Sequence, residues 1–355
     1  MTITQILDRA VTEQGFPGMV AEVRDGGQRW FGSAGVAEVG TDRERLAQEQ
    51  FRVGSITKTF TATVILQLAA EYVLSLDDTV EKWLPGLIRG NGHDGNRITI
   101  RHLLSHRSGL FAFTLDEDML RRYSSPELLA HRFDRWTPEE LVKISLAHKP
   151  DFEPGQGFAY SNTNFVLSGL IIERATGMTY NDVIELRILR PLKLTSTYLA
   201  NRETELRGPH THSYSRLTLQ EADALAHDVT ELDATYGFAT GELISTTGDL
   251  AVFLGELLGG RLLPPAQLDE MLTMTPVPDG TWLDGYSYGL GLSSFELPCG
   301  TTVFGHGGMI TGNWSYLYGT RDGSRVAVTN VNGDWNCPPL DLFPEVLDAA
   351  FRPAA

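Results

Sequence analysis

A serine and a lysine three residues apart open one helical pattern of this chain. The segment reads Phe51-Arg-Val-Gly-Ser55-Ile-Thr-Lys58, and a helical apolar period continues through Leu68 and Ala69. At that spacing both side chains leave the same helix face. A hydroxyl there lies near the first backbone N–H groups and the positive end of the helix dipole, which favour negative charge on a substrate oxygen. A lysine whose surroundings draw off its proton can act as base for that hydroxyl. The bland alternative is an N-cap serine beside a surface charge, because the S-x-x-K pattern is short. A second segment, Phe158-Ala-Tyr160-Ser161-Asn162-Thr-Asn164, begins another apolar-periodic stretch. Its phenol suits a proton relay, and its amide can orient a substrate or the lysine; the alternative is a capping turn with Tyr160 as a packing residue. A third, Phe304-Gly305-His306-Gly307-Gly308-Met309, directly follows a strand pattern. Glycines there let a strand backbone approach a ligand closely. His306 by itself reads more readily as a structural histidine than as a catalytic one.

These residues need elements to hold them. Residues 19–24 and 28–33 read as two strands joined at Asp25-Gly26-Gly27, a hairpin signal. Short strand patterns return at 288–294, 301–304, 315–319 and 325–329. The first residues and 340–351 are amphipathic and helical. Between them the chain is mostly helical, with patterns at 57–72, 138–147, 162–175 and 247–258. Strands at both ends and helices between predict an α+β fold: one antiparallel sheet flanked by N- and C-terminal helices, with a mainly helical region inserted. The expected organisation is a single catalytic unit over 1–355. Residues 1–60 and 276–355 form its sheet subdomain, and 61–275 its helical one. The polar stretch 202–232, with His210, His212 and His227, reads as an excursion or lid loop.

Composition excludes several classes. The 355 residues are 42% hydrophobic and 21% charged, as in ordinary globular proteins. Lys and Arg number 29 against 45 Asp and Glu, a formal charge of −16, which disfavours nucleic acid and anionic membrane surfaces as partners. No apolar run reaches the roughly 18 residues of a membrane span. The N-terminus reads as an amphipathic helix rather than a secretory leader, so the expected location is cytoplasmic, or secreted if a leader has been removed. Cys299 and Cys337 are the only cysteines, too few for a thiolate zinc site; they are expected to stay reduced. His102 and His106 have the i,i+4 spacing of zinc ligands, but Leu103 stands where the H-E-x-x-H motif needs its glutamate. No metal or cofactor is expected.

Taken together and in this order, Ser55-x-x-Lys58, Tyr160-x-Asn162 and His306-x-Gly308 resemble the motifs of the penicillin-recognising serine hydrolases, which include class C β-lactamases, D-alanyl-D-alanine carboxypeptidases and related esterases. The likeness extends to the segments 101–110, 240–250 and 288–292. It implies an acyl-enzyme route. Ser55 attacks a carbonyl, Lys58 and Tyr160 share the proton transfers, and Asn162 hydrogen-bonds in the site. His306 stands where other members have lysine. The N–H groups of Ser55 and Met309 would form the oxyanion hole.

The departures bear on substrate. Gly307 replaces the triad's threonine, Met309 stands where another threonine is frequent, and no arginine occupies 293–295. A buried carboxylate deprived of those donors is costly. The pattern favours a neutral leaving group, and Phe111, Phe113, Tyr236, Met309 and Trp314 suggest an apolar or aromatic pocket. The expectation is a serine hydrolase or transacylase acting on an ester, thioester or amide of a small-molecule or peptide acyl donor. An amine or alcohol would be a possible acceptor, and the step could belong to a biosynthetic pathway. The alternatives are a carboxypeptidase or β-lactamase-like enzyme, and a non-catalytic binding protein of the same fold.

Overall fold

The alternating segments at the two ends of the chain pair with each other. Strands β1 (Gly18–Asp25) and β2 (Gln28–Gly35) form a hairpin whose turn is Gly26-Gly27, both at positive φ. Strands β3 (Thr275–Pro276), β4 (Ser287–Tyr288), β5 (Ser293–Glu296), β6 (Thr302–Ile310), β7 (Asn313–Gly319) and β8 (Arg325–Val331) follow late in the chain. They join in the order β3-β4-β5-β6-β7-β8-β1-β2, antiparallel throughout, with Met19 opposite Val331 at the seam. The computed structural model describes residues 1–217, 224–278, 281, 285–335 and 342–352.

Period-two alternation gives the sheet two apolar faces. Tyr316, Tyr318, Ala327 and Val331 share one core with the terminal helices α1 (Ile3–Thr12) and α9 (Leu342–Phe351). Leu317, Val326 and Val328 point the other way and join the core of the helical region. That region contains α2 (Thr57–Ala70), α3 (Ile100–Leu104), α4 (Glu117–Tyr123), α5 (Pro138–Ala147), α6 (Asn162–Thr176), α7 (Phe238–Gly241) and α8 (Thr247–Leu258). The fold is the expected α+β arrangement of an antiparallel sheet between two sets of helices.

Helix α2 is buried from Thr57 to Leu66 on every side, so it has no polar face. Its threonines are reconciled with burial by hydrogen bonds: Thr59 Oγ1 donates to Gly291 O at 2.9 Å, and Thr61 Oγ1 to Ala239 O at 2.8 Å. Those bonds tie α2 to the sheet side and to α7. The helix ends earlier than its period suggests, because Tyr72 takes a positive φ of 58° and is almost wholly exposed.

The pattern at 288–294 reads as one strand but forms parts of two, β4 and β5. Gly291, at φ 79°, turns the chain between them, and a β-carbon there would collide with Ala62 on α2. The excursion at 202–232 carries a small ribbon, Tyr214–Ser215 paired with His227–Asp228; its residues 218–223 lie outside the described ones.

Candidate active site

A short strand, Phe51–Arg52, pairs antiparallel with Leu243–Ser245 and delivers the chain to a 3₁₀ turn at Gly54–Ile56 that leads into α2. Gly54 has φ +55°, and a β-carbon on it would lie 2.5 Å from the carbonyl oxygen of Met309 and 2.8 Å from its nitrogen. A β-carbon on Gly308 would strike Val53 O and stand 3.1 Å from the nitrogen of Ser55. Two glycines thus let β6 lie backbone to backbone on the turn that carries Ser55.

Lys58 is wholly buried one turn further on. Its Nζ lies 2.8 Å from Ser55 Oγ and 3.0 Å from Thr240 O, and it sits 5.0 Å from the centroid of the Tyr160 ring. Burial pushes its pKa well below the ordinary lysine value, and no carboxylate among the described residues forms an ion pair with it. A neutral amine fits this geometry. One hydrogen goes to the Thr240 carbonyl and the lone pair faces the serine hydroxyl. The Tyr160 hydroxyl is hydrogen-bonded to Ser55, and burial raises its pKa above the ordinary phenol value, so it keeps its proton at neutral pH.

His306 differs from a lysine at the same place in charge as well as shape. Its Nδ1 donates to Gly307 O, and its Nε2 accepts from the Tyr288 hydroxyl at 3.0 Å. Burial lowers its pKa to about 3, so the ring is neutral. Gly307 leaves room that the Tyr316 ring fills: a β-carbon there would stand 2.8 Å from Tyr316 Cε1. Met309 is opposite Trp314 on β7 and half exposed at the cleft mouth. Asn162, the first residue of α6, donates through Nδ2 to Thr114 Oγ1 at 3.1 Å, while its buried Oδ1 has no hydrogen-bond partner among the described residues.

All seven residues singled out by the motifs, Ser55, Lys58, Tyr160, Asn162, His306, Gly307 and Met309, therefore meet in one region. Six of them, with Lys58 beneath the floor, line a cleft of about 600 Å³. Leu115, Met119, Leu120 and Tyr123 form one wall, and Tyr236, Ile310 and Trp314 another. The aromatic wall is braced. Tyr123 and Tyr236 stack at 4.4 Å, and the Tyr123 hydroxyl accepts from Trp136 Nε1 at 2.7 Å. Of the five pocket candidates, Tyr236, Met309 and Trp314 line the cleft. Phe113 is core, and Phe111 stacks on His148 at 3.9 Å.

Two contributors escaped the motifs. Thr240 acts through its main-chain oxygen, which no residue type advertises. His106 lies against Tyr160 with its Nδ1 on the Ser161 N–H, while His102 closes a capping box with Thr99. The pair therefore point to different tasks. Of the loop histidines, His212 Nδ1 is 2.6 Å from Asp228 and His210 Nδ1 contacts Gly208 O. No group of three metal-ligating side chains is assembled among the described residues. Cys337 lies outside them, so the state of Cys299 and Cys337 stays an expectation. Among the described residues no helix is long and apolar enough to cross a membrane.

With fold and cleft in hand, the likenesses to known proteins gain physical content. The Beta-lactamase family model matches residues 3–338, and the chain belongs to that family of serine hydrolases. A D-stereospecific amidohydrolase from Streptomyces sp. shares its fold with a TM-score of 0.91 and 45% identity, over 99% of this chain and 98% of that one. The D-amino acid amidase from Ochrobactrum anthropi SV3, complexed with D-phenylalanine, is similar at 26% identity and a TM-score of 0.84, covering 98% and 97%. Penicillin-binding protein 4* of Bacillus subtilis (strain 168) is 28% identical over 82% of this chain, which spans 63% of that protein's length.

Proposed function

We propose that the protein hydrolyses an amide or ester of a small amino-acid derivative with an apolar or aromatic side chain, through an acyl enzyme on Ser55, and prefers the D configuration. The observation that carries the chemistry is the buried Lys58, 2.8 Å from Ser55 Oγ and without a carboxylate partner among the described residues. Lys58 Nζ takes the hydroxyl proton as Ser55 Oγ bonds to the carbonyl carbon. The N–H groups of Ser55 and Met309 receive the oxyanion. As the C–N or C–O bond breaks, the Tyr160 hydroxyl gives its proton to the leaving group and is reprotonated from Lys58. Water, or a bound amine or alcohol, then attacks the acyl carbon, and the same groups run in reverse.

The D configuration is supported by the named activities of the Streptomyces and Ochrobactrum proteins; the neutral leaving group is supported by His306. With both ring nitrogens engaged and a pKa of about 3, His306 offers no positive charge to a carboxylate. The test pairs two measurements. Mass spectrometry after incubation with a fluorophosphonate should add one phosphonyl group at Ser55. Hydrolysis of D- and L-phenylalanine amides, matched esters and D-Ala-D-Ala peptides should then rank the D-amide or D-ester first. A D-Ala-D-Ala preference would restore the carboxypeptidase; absence of any adduct in folded protein would favour the binding protein.

A further inference from the structure

His106 is a fully buried histidine that the proposed proton transfers leave unused. It follows α3 at a positive φ of 56°, unusual for a residue with a β-carbon. Its main-chain oxygen accepts from the N–H of Ala159 at 3.1 Å, and its Nδ1 accepts from the N–H of Ser161, also at 3.1 Å. These are the residues immediately before and after Tyr160. The imidazole ring itself lies on the Tyr160 ring, with centroids 4.2 Å apart and planes at 37°. One residue therefore grips Tyr160 from both sides along the backbone and from beneath the ring.

The same geometry sets the charge of His106. An Nδ1 that accepts hydrogen bonds puts the proton on Nε2, and Nε2 is buried with no hydrogen-bond partner among the described residues. Protonating Nδ1 would turn the Ser161 N–H and the amide of Asn164, 3.1 Å away, from partners into opponents. Burial holds the pKa well below the ordinary histidine value. A neutral ring is what the site needs, because a cation beneath Tyr160 would oppose the proton arriving on Lys58.

We propose that His106 is a positioning residue for Tyr160, fixing the phenol in hydrogen-bonding register with Ser55 while adding no charge to the site. The proposal rests on the acyl-enzyme reading above, and its test separates the two. The rate of Ser55 phosphonylation is measured for wild type, His106→Phe, His106→Asn, Tyr160→Phe and the doubles of each His106 variant with Tyr160→Phe, with thermal melts to establish folding. Phenylalanine keeps a ring under Tyr160 but removes the acceptor for Ser161; asparagine keeps an acceptor and removes the ring.

Either single His106 variant should slow labelling at least about tenfold, and in the Tyr160→Phe background the same change should cost less than about twofold, since coupled residues are not additive. A full tenfold loss in that background would show that His106 acts independently of Tyr160 and overturn the proposal. So would wild-type labelling by both folded single variants. If His106→Phe does not fold, the asparagine cycle decides alone. Wild type that takes no label at Ser55 would remove the acyl-enzyme reading itself, and the positioning role with it.

Discussion

The carbonyl oxygen of Thr240 lies 3.0 Å from Lys58 Nζ, so a main-chain acceptor, rather than a carboxylate, holds the lysine against Ser55. A carboxylate would stabilise the ammonium and raise its pKa. A carbonyl accepts one hydrogen and leaves burial to decide the protonation state.

From that follows a pH profile. In the proposed mechanism acylation requires neutral Lys58, whose pKa is lowered, so kcat/KM should rise with pH along a limb centred well below the ordinary lysine value of 10.5. Lys58→Arg removes the base, because guanidinium stays charged, and should lower kcat/KM by about three orders of magnitude or more. Plotting log kcat/KM from pH 5 to 10 checks both statements. A limb at the free-lysine value would mean that Lys58 is protonated in the working enzyme.

A second prediction concerns the contact between β6 and the serine turn. Gly54→Ala forces a β-carbon to 2.5 Å from Met309 O at a φ of +55°, and the cheapest relief is to move Met309 away from Ser55. Loss of an oxyanion donor costs about 10²–10³ in rate. Gly54→Ala should therefore depress kcat by about that factor while KM changes little. The check is steady-state kinetics beside a thermal melt. A variant with normal kcat would show that the Met309 N–H is not an oxyanion donor.

How much of this site was legible beforehand depends on the range of each interaction. Ser55 and Lys58 share a helix face, and that juxtaposition is local arithmetic. The apolar period at 138–147 likewise announces α5, and the structure adds a capping box between Thr137 and Glu140 at its start. Tyr160 and His306 come from segments far apart in the chain, and only the family resemblance joined them to Ser55. His106 drew notice as a possible metal ligand because spacing to His102 is visible, whereas its bond to Ser161 spans 55 positions and exists only after folding. Gly291 shows the same limit. Its neighbours alternate like a strand, and the Ala62 side chain that forces the turn belongs to α2.

Stability should have its own acid signature at Glu22. This carboxylate is wholly buried on β1, accepts from Arg29 at 2.9 and 3.0 Å and from Arg24 at 3.0 Å, and takes a hydrogen bond from Thr247 Oγ1 at 2.7 Å. Burial alone would raise its pKa. The bonds to Arg29, Thr247 and Arg24 outweigh it, and the net shift is downward from 4.5. A folded-state pKa below the unfolded one gives stability that is present above the unfolded value and lost as pH falls through the folded one. Both arginines are partly exposed, so Glu22→Gln should cost only about 2 kcal/mol at pH 7, less than a fully buried pair. Urea unfolding at pH 7 and then below pH 4 should show the gap to wild type narrowing in acid. A gap that widened would reverse the sign and remove Glu22 as the cause.

The leaving-group preference should answer to His306. At neutral pH its ring carries no charge, Nδ1 is given to Gly307 and Nε2 to Tyr288, so a substrate carboxylate next to it would lose water without gaining a counter-charge. His306→Lys places an ammonium on β6 and frees the Tyr288 hydroxyl, which can then donate to the same anion. The substitution also raises the positive potential around Lys58 and should slow every substrate. The informative quantity is therefore a ratio, kcat/KM for a D-alanine leaving group over kcat/KM for the matched primary amide with the same acyl part. That ratio should rise at least about tenfold, the scale of one charge-assisted hydrogen bond gained by only one of two competitors. His306→Gln adds no charge and should leave the ratio near that of wild type. If the lysine variant slows both substrates equally, the neutral ring at 306 is not what selects the leaving group, and the wall formed by Met309 and Trp314 becomes the place to look.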